Sequence, residues 1–182
     1  MKGTGMLLDA RRSLLLIIDF QARLMPAIHE AETALANAGR LMDAAALLEI
    51  PAFVTEENSA GLGPSVPAIA QRGYPTLHKQ SFDATREEAF RTFLPADRHT
   101  VVVVGCEAHV CVLQTVMGLL DEDRRVFVVR DALGSRKAEN KEAAIERMSR
   151  AGAETITTEM AIFEWLETAE HPRFREAVVL MK

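Results

Sequence analysis

At 182 residues, with 48% hydrophobic and 26% charged side chains, the chain suffices for one domain with a substantial core and is too short for two ordinary ones. A net charge of −5, with Lys and Arg scattered rather than clustered, offers no basic face for phosphates, so nucleic acid is not an expected partner. No apolar run approaches the ~20 residues that span a bilayer, and the N-terminal stretch lacks an apolar segment with a cleavage site behind it, so a cytoplasmic protein without a membrane partner is expected.

In chain order, Ser13–Ile18 (SLLLII) is a continuous apolar run of strand length ending at Asp19. Thr33–Ile50 has helical period, with Leu35, Ala38, Leu41, Ala45 and Leu48 on one face. Ala52–Thr55 is a second strand, followed by a loop over Asn58–Pro67 and a short helix toward Arg72. Thr76–Lys79 is a third strand. Asp83 is placed to cap a helix that Pro95 closes, with acidic residues in its first turn. Thr100–Val104 is a fourth strand, and a helix runs through Gln114–Leu120. Strand Arg125–Val129, helix Lys141–Arg150, strand Thr155–Thr157 and a helical segment Met160–Glu167 complete the alternation, and His171–Lys182 is either an arm or a docking helix. Strands that are apolar throughout, alternating with helices, predict a single doubly wound α/β domain over 1–182: a parallel sheet of about six strands covered by helices on both faces.

In such a sheet, ligands bind beyond the carboxyl ends of the strands, where the strand order reverses. Asp19 closes the first strand and Lys79 the third, and Cys111 follows the fourth near a helix start. A helix N-terminus and a nearby ammonium would favour the Cys111 thiolate. A carboxylate in reach would take its proton and later hand it to a leaving group. Each residue also has an ordinary reading: Asp19 as a turn residue, Lys79 as a solvated charge, a cysteine as a small buried hydrophobe. That last reading suits Cys106, which continues the valine run. Cys106, His109 and Cys111 lack the second ligand pair of a structural zinc site, and His29, His78, His99 and His171 are isolated. No Gly-x-Gly-x-x-Gly follows the first strand, which argues against a dinucleotide fold.

Three segments carry a resemblance: Asp19-Phe20-Gln21, Lys79-x-x-Phe82, and Gly105-Cys-Glu-Ala-His-Val-Cys-Val-Leu-Gln-Thr115. Together they resemble the isochorismatase-like cysteine hydrolases, and the third is similar to the metal-independent branch called isochorismatase domain-containing proteins. The resemblance implies Cys111 as nucleophile, Asp19 as general acid and base, and Lys79 as the cation that holds the thiolate and orients the carboxylate. It also implies a cis Cys106–Glu107 peptide, with backbone amides of Glu107 and Cys111 as an oxyanion hole. Gln21, Phe20, Phe82 and His109 fall near the substrate pocket. Where the metal-binding branch carries histidines, this chain has Thr55-Glu-Glu-Asn, whose Glu56 and Glu57 are taken as solvated loop charges, so no metal and no cofactor are expected.

The expected activity is hydrolysis of a C–N bond in a small amide, urea or carbamoyl compound through an acyl-enzyme. Vinyl-ether cleavage of the isochorismatase type and a non-catalytic binding or assembly module on the same fold remain alternatives. A homo-oligomer is implied by the resemblance, and the apolar Trp165 segment and Ala177–Met181 are either surfaces for self-association or segments folded back on the chain's own core.

Overall fold

The structure, a computed structural model, describes residues 6–181; the expectations for the N-terminal stretch and the C-terminal segment fall partly on residues 1–5 and 182, which lie outside the described residues. Six strands form one parallel sheet: β1 (Ser13–Ile18), β2 (Ala52–Glu57), β3 (Thr76–Lys79), β4 (Thr100–Cys106), β5 (Arg125–Gly134) and β6 (Glu154–Ile156). Their order, β3-β2-β1-β4-β5-β6, reverses direction between β1 and β4, as in a doubly wound fold. The helices are α1 (Ala31–Leu47), α2 (Ser59–Leu62), α3 (Pro67–Ala70), α4 (Leu113–Asp121), α5 (Ala138–Ala151), α6 (Thr158–Leu166) and α7 (Phe174–Leu180).

Successive strand side chains point to opposite faces, so a strand covered on both sides is apolar at every position. Leu15, Ile17, Val102, Val104 and Val129 pack with Leu41, Met42 and Ala45 of α1, Trp165 of α6 and Ala177 of α7. On the other face Leu14, Leu16, Ile18, Val101, Val103 and Val128 pack with Val116 and Leu119 of α4 and Ile145 and Met148 of α5. This two-sided burial is the physical reason for SLLLII and for the valine run.

At the carboxyl end of the sheet, β1 and β4 approach so closely that only glycine fits between them. Gly105 pairs with Ile18 and adopts φ +143°, and a Cβ there would stand 2.2 Å from the Ile18 carbonyl oxygen. The β4–β5 register shifts between Val103 and Gly105, so β4 runs on to Cys106 and β5 on to Gly134, both beyond their predicted ends.

Other boundaries differ for local reasons. α1 stops at Leu47, because Glu49 takes a left-handed φ and Ile50 precedes Pro51, where helical backbone is disfavoured. Asp83 does cap a turn by accepting from Thr85 N, but the expected helix before Pro95 is two 3-10 segments, Ala84–Arg86 and Glu88–Phe93. The break between them is Glu87, whose backbone is extended and whose carboxylate accepts from the N–H groups of Gln80 and Ser81. The predicted loop over Asn58–Pro67 contains the single turn α2. The C-terminal segment is a docking helix: α7 packs against α1 through the buried Ala177. Of the two readings of the Trp165 segment, folding back on the core holds for the indole itself: Trp165 is buried, and its N–H donates to Ser13 Oγ at 3.1 Å. The apolar surface on these two helices comes instead from Met160, Phe163 and Val179. Among the described residues no helix is long and apolar enough to cross a membrane.

Candidate active site

Four strand ends bring the site together at the carboxyl edge of the sheet, beside the β1/β4 reversal. Asp19 is the first residue past β1, turned by a positive φ of 53°, and its N–H donates to the Thr55 carbonyl of β2. Asp19 Oδ1 accepts from Thr55 Oγ at 2.6 Å, and Oδ2 accepts from Lys79 Nζ at 2.8 Å. Lys79, the last residue of β3, also donates to Glu57 Oε2 at 2.9 Å. Cys111 lies in the π-helical turn Ala108–Val112 that leads from β4 into α4. The Cys111 sulfur and carboxylate oxygens of Asp19 and Glu57 all lie within 4.8 Å of one another.

Glu57 corrects the expectation of a solvated loop charge. β2 continues two residues past its predicted end, so Glu56 and Glu57 are both buried, and Glu57 pairs directly with Lys79 in the parallel ladder. Glu56 turns elsewhere: its carboxylate accepts from Ser65 N, approaches Ser59 Oγ and stands 3.3 Å from His78 Nδ1, so that histidine is not isolated. Burial raises the Glu56 pKa, but the hydrogen bonds from Ser65 and Ser59 and the nearby His78 outweigh it and leave it lowered.

A buried ammonium beside two carboxylates sets the electrostatics. Burial disfavours the charged Lys79, but Asp19, the Cys111 sulfur and the hydrogen bonds to Asp19 and Glu57 outweigh it and hold its pKa above the usual value. At Cys111 the balance runs the other way. Burial, followed by the charge of Asp19, pushes the thiol well up; Lys79 opposes this, and a hydrogen bond to Asp19 and the charge of Glu57 add to it. The net direction is upward, opposite to the effect expected from a helix start and a nearby ammonium alone.

This yields a test. Asp19→Asn removes a carboxylate charge that opposes ionisation, so the pH dependence of Cys111 alkylation, followed by peptide mass spectrometry, is expected to shift to lower pH. An unchanged profile would mean that Asp19 and the sulfur do not sense each other.

The other residues singled out in the sequence separate into distinct places. The Cys106–Glu107 peptide is cis. The Glu107 carboxylate is engaged by Arg136, through its backbone N at 2.9 Å and its Nε at 3.1 Å. The Glu107 carbonyl accepts from Val110 and Val112, while its own N–H donates to no acceptor among the described residues. Gln21 clamps the end of β2 behind the site: it accepts from Glu57 N and donates to the carbonyls of Glu57 and Gly63, each at 2.8 Å. Phe20 is fully buried in the core beside α1, whereas Phe82 is 49% exposed. His109 hydrogen-bonds Ser135 Oγ at 3.0 Å and lines an outer depression with Asp83, Arg86, Met117 and Arg147. Cys106 is buried in the core, and burial pushes its thiol far up. The donors Asp19, Glu57 and Cys111 have the spacing of a cation site, but the positive charge between the two carboxylates is already supplied by Lys79.

Comparison with known proteins extends this picture. The family model described as the Isochorismatase domain matches residues 13–160. Isochorismatase domain-containing protein 2 of Danio rerio is 32% identical over 182 residues, which cover 100% of this chain and 92% of that protein. Among solved structures, one described as the MAR1 ribonuclease of Caenorhabditis elegans superposes with a TM-score of 0.90 at 33% identity, covering 96% of this chain and 91% of that one. The Escherichia coli YcaC product, described as an octameric hydrolase of unknown specificity, superposes with a TM-score of 0.87 at 25% identity, covering 100% and 89%. YcaC from Pseudomonas aeruginosa, solved with hexane-2,5-diol and covalent acrylamide, gives 0.84 at 25% identity, covering 99% and 98%.

Proposed function

The chain belongs to the isochorismatase family and carries its hydrolase fold, and from that premise we propose that it is a cysteine hydrolase cleaving the C–N bond of a small amide, urea or carbamoyl compound. The observation that carries this reading is the meeting of one thiol, one carboxylate and one ammonium at three strand ends, with Asp19 bonded to Lys79 and both beside the Cys111 sulfur.

The sequence of steps follows from these positions. On substrate binding, Asp19 takes the thiol proton while the Cys111 sulfur bonds to the carbonyl carbon. Negative charge moves to the carbonyl oxygen, and the N–H groups of Glu107 and Cys111 receive it. The tetrahedral species collapses by breaking the C–N bond, and Asp19 gives its proton to the departing nitrogen, leaving a thioester. A water molecule then attacks the thioester carbon and passes a proton to Asp19. The C–S bond breaks, the acid product leaves, and that proton returns to sulfur. Throughout, Lys79 keeps Asp19 oriented and supplies the counter-charge that makes transient ionisation of sulfur feasible in a buried site.

The Pseudomonas relative was solved with covalent acrylamide, and by similarity we take a group able to form a covalent bond with a small electrophile to be present in this chain as well. The ribonuclease description of the Caenorhabditis structure points to another substrate, but here a net charge of −5 and two carboxylates around the sulfur favour a small molecule over a polyanion. Self-association is part of the reading: the Escherichia relative is octameric, and Met160, Phe163 and Val179 leave apolar surface on α6 and α7. The direct test is a screen of small primary amides, ureas and carbamoyl compounds read by ammonia release. At least one class is expected to be turned over by the wild type, and ammonia release from none of them would contradict the reading.

A further inference from the structure

The mechanism uses Asp19, Lys79 and Cys111 but leaves a second buried carboxylate without a task. Glu57 is 6% exposed, and its Oε2 accepts from Lys79, while its Oε1 has no hydrogen-bond partner among the described residues. Its position is fixed from behind, because Gln21 bonds both its backbone N–H and its carbonyl. The groups facing the sulfur are Asp19 from β1, Glu57 from β2 and Lys79 from β3. Glu107, from the end of β4, is held by Arg136. Two carboxylates share one ammonium beside the sulfur, an excess of one formal negative charge over the ion pairs Asp19–Lys79 and Glu57–Lys79.

We propose that Glu57 selects the substrate: its Oε1 accepts an N–H from an uncharged or cationic group such as a primary carboxamide, urea or amidine, and its charge turns away molecules bearing a carboxylate beside the scissile bond. An N–H donated to a charged acceptor makes a strong hydrogen bond. A second net negative charge brought within a few ångströms in a site largely closed to water is repelled far more than in bulk solvent. Lys79 does not relieve this, since its ammonium already bonds both carboxylates.

This inference rests on the cysteine-hydrolase reading, so its test must not require turnover. Iodoacetamide and iodoacetate have nearly the same size and differ by an amide against a carboxylate. Each forms a C–S bond with Cys111 and releases iodide, the thiol proton passing to Asp19 or solvent. Labelling of Cys111 at pH 8 is measured by peptide mass spectrometry, and free cysteine under the same conditions gives the intrinsic reactivity ratio of the two reagents. The wild type is expected to prefer iodoacetamide about tenfold or more strongly than free cysteine does. Glu57→Gln, which keeps an acceptor for Lys79 but removes the charge, is expected to bring the ratio back toward that of free cysteine. Glu57→Asp is expected to retain most of the preference, which separates loss of charge from loss of shape.

A wild-type ratio equal to that of free cysteine, or a preference that persists in Glu57→Gln, would overturn the assignment of Glu57 while leaving Cys111 as nucleophile. Failure of both reagents to modify Cys111 up to alkaline pH would instead overturn the cysteine-hydrolase reading, and the selectivity assignment with it.

Discussion

Changing Cys111 to alanine is expected to reduce ammonia release on the order of 10⁴-fold or more, to background, with the fold intact. The large effect follows from the absence of a substitute nucleophile: Cys106, the other cysteine of the chain, is buried in the core with its thiol held in the neutral form. The small structural effect follows from size. Alanine removes one sulfur atom from a residue that is 6% exposed, and Asp19 keeps its bonds to Thr55 and Lys79. Parallel measurement of initial rates and thermal melting checks both halves, and an alanine variant with wild-type activity would refute the role of Cys111.

Lys79→Met should do the opposite, costing stability as well as activity. Methionine fills similar volume but leaves Asp19 and Glu57 as buried carboxylates without their shared counter-ion. Removing one partner from a buried ion pair typically costs about 3–5 kcal/mol, because the remaining charge is left uncompensated. Urea denaturation at pH 7 measures this as a lowered midpoint; an unchanged midpoint would mean that the two carboxylates are solvated or protonated.

The same pair predicts an alkaline limit. The folded pKa values of Lys79 and Cys111 both lie above their ordinary values of 10.5 and 9.0. The stability they contribute is fully present below the unfolded values. It is lost as pH rises, from about 9 for Cys111 and from about 10.5 for Lys79, since the unfolded chain releases these protons first.

Much of this arrangement was legible in the sequence because burial on two faces writes itself as unbroken apolar runs. SLLLII and the four valines mark β1 and β4, and the chemistry-bearing residues stand where those runs end, at Asp19 and after Gly105. Lys79 was legible only as the end of the short strand Thr76–Lys79, an edge strand buried at alternate positions rather than an unbroken apolar run. Glu57 was not, because two adjacent carboxylates read as the start of a loop. Only the ladder partner shows otherwise: Lys79, directly across from Glu57, makes burial of that acid tolerable. A helix start also misled the reading of Cys111. Proximity to α4 suggested a favoured thiolate, but burial and the neighbouring Asp19 push the thiol upward instead. Phe20 follows Asp19 in sequence, and its ring is buried in the core beside α1.

The central claim is that the Cys111 sulfur carries the acyl group during turnover. Rapid acid quenching with a substrate from the amide screen, followed by peptide mass spectrometry, tests it most directly. An acyl adduct confined to the peptide containing Cys111, and to that residue within it, is the predicted result. Steady turnover with no adduct on Cys111, or with the adduct on Cys106, would contradict it.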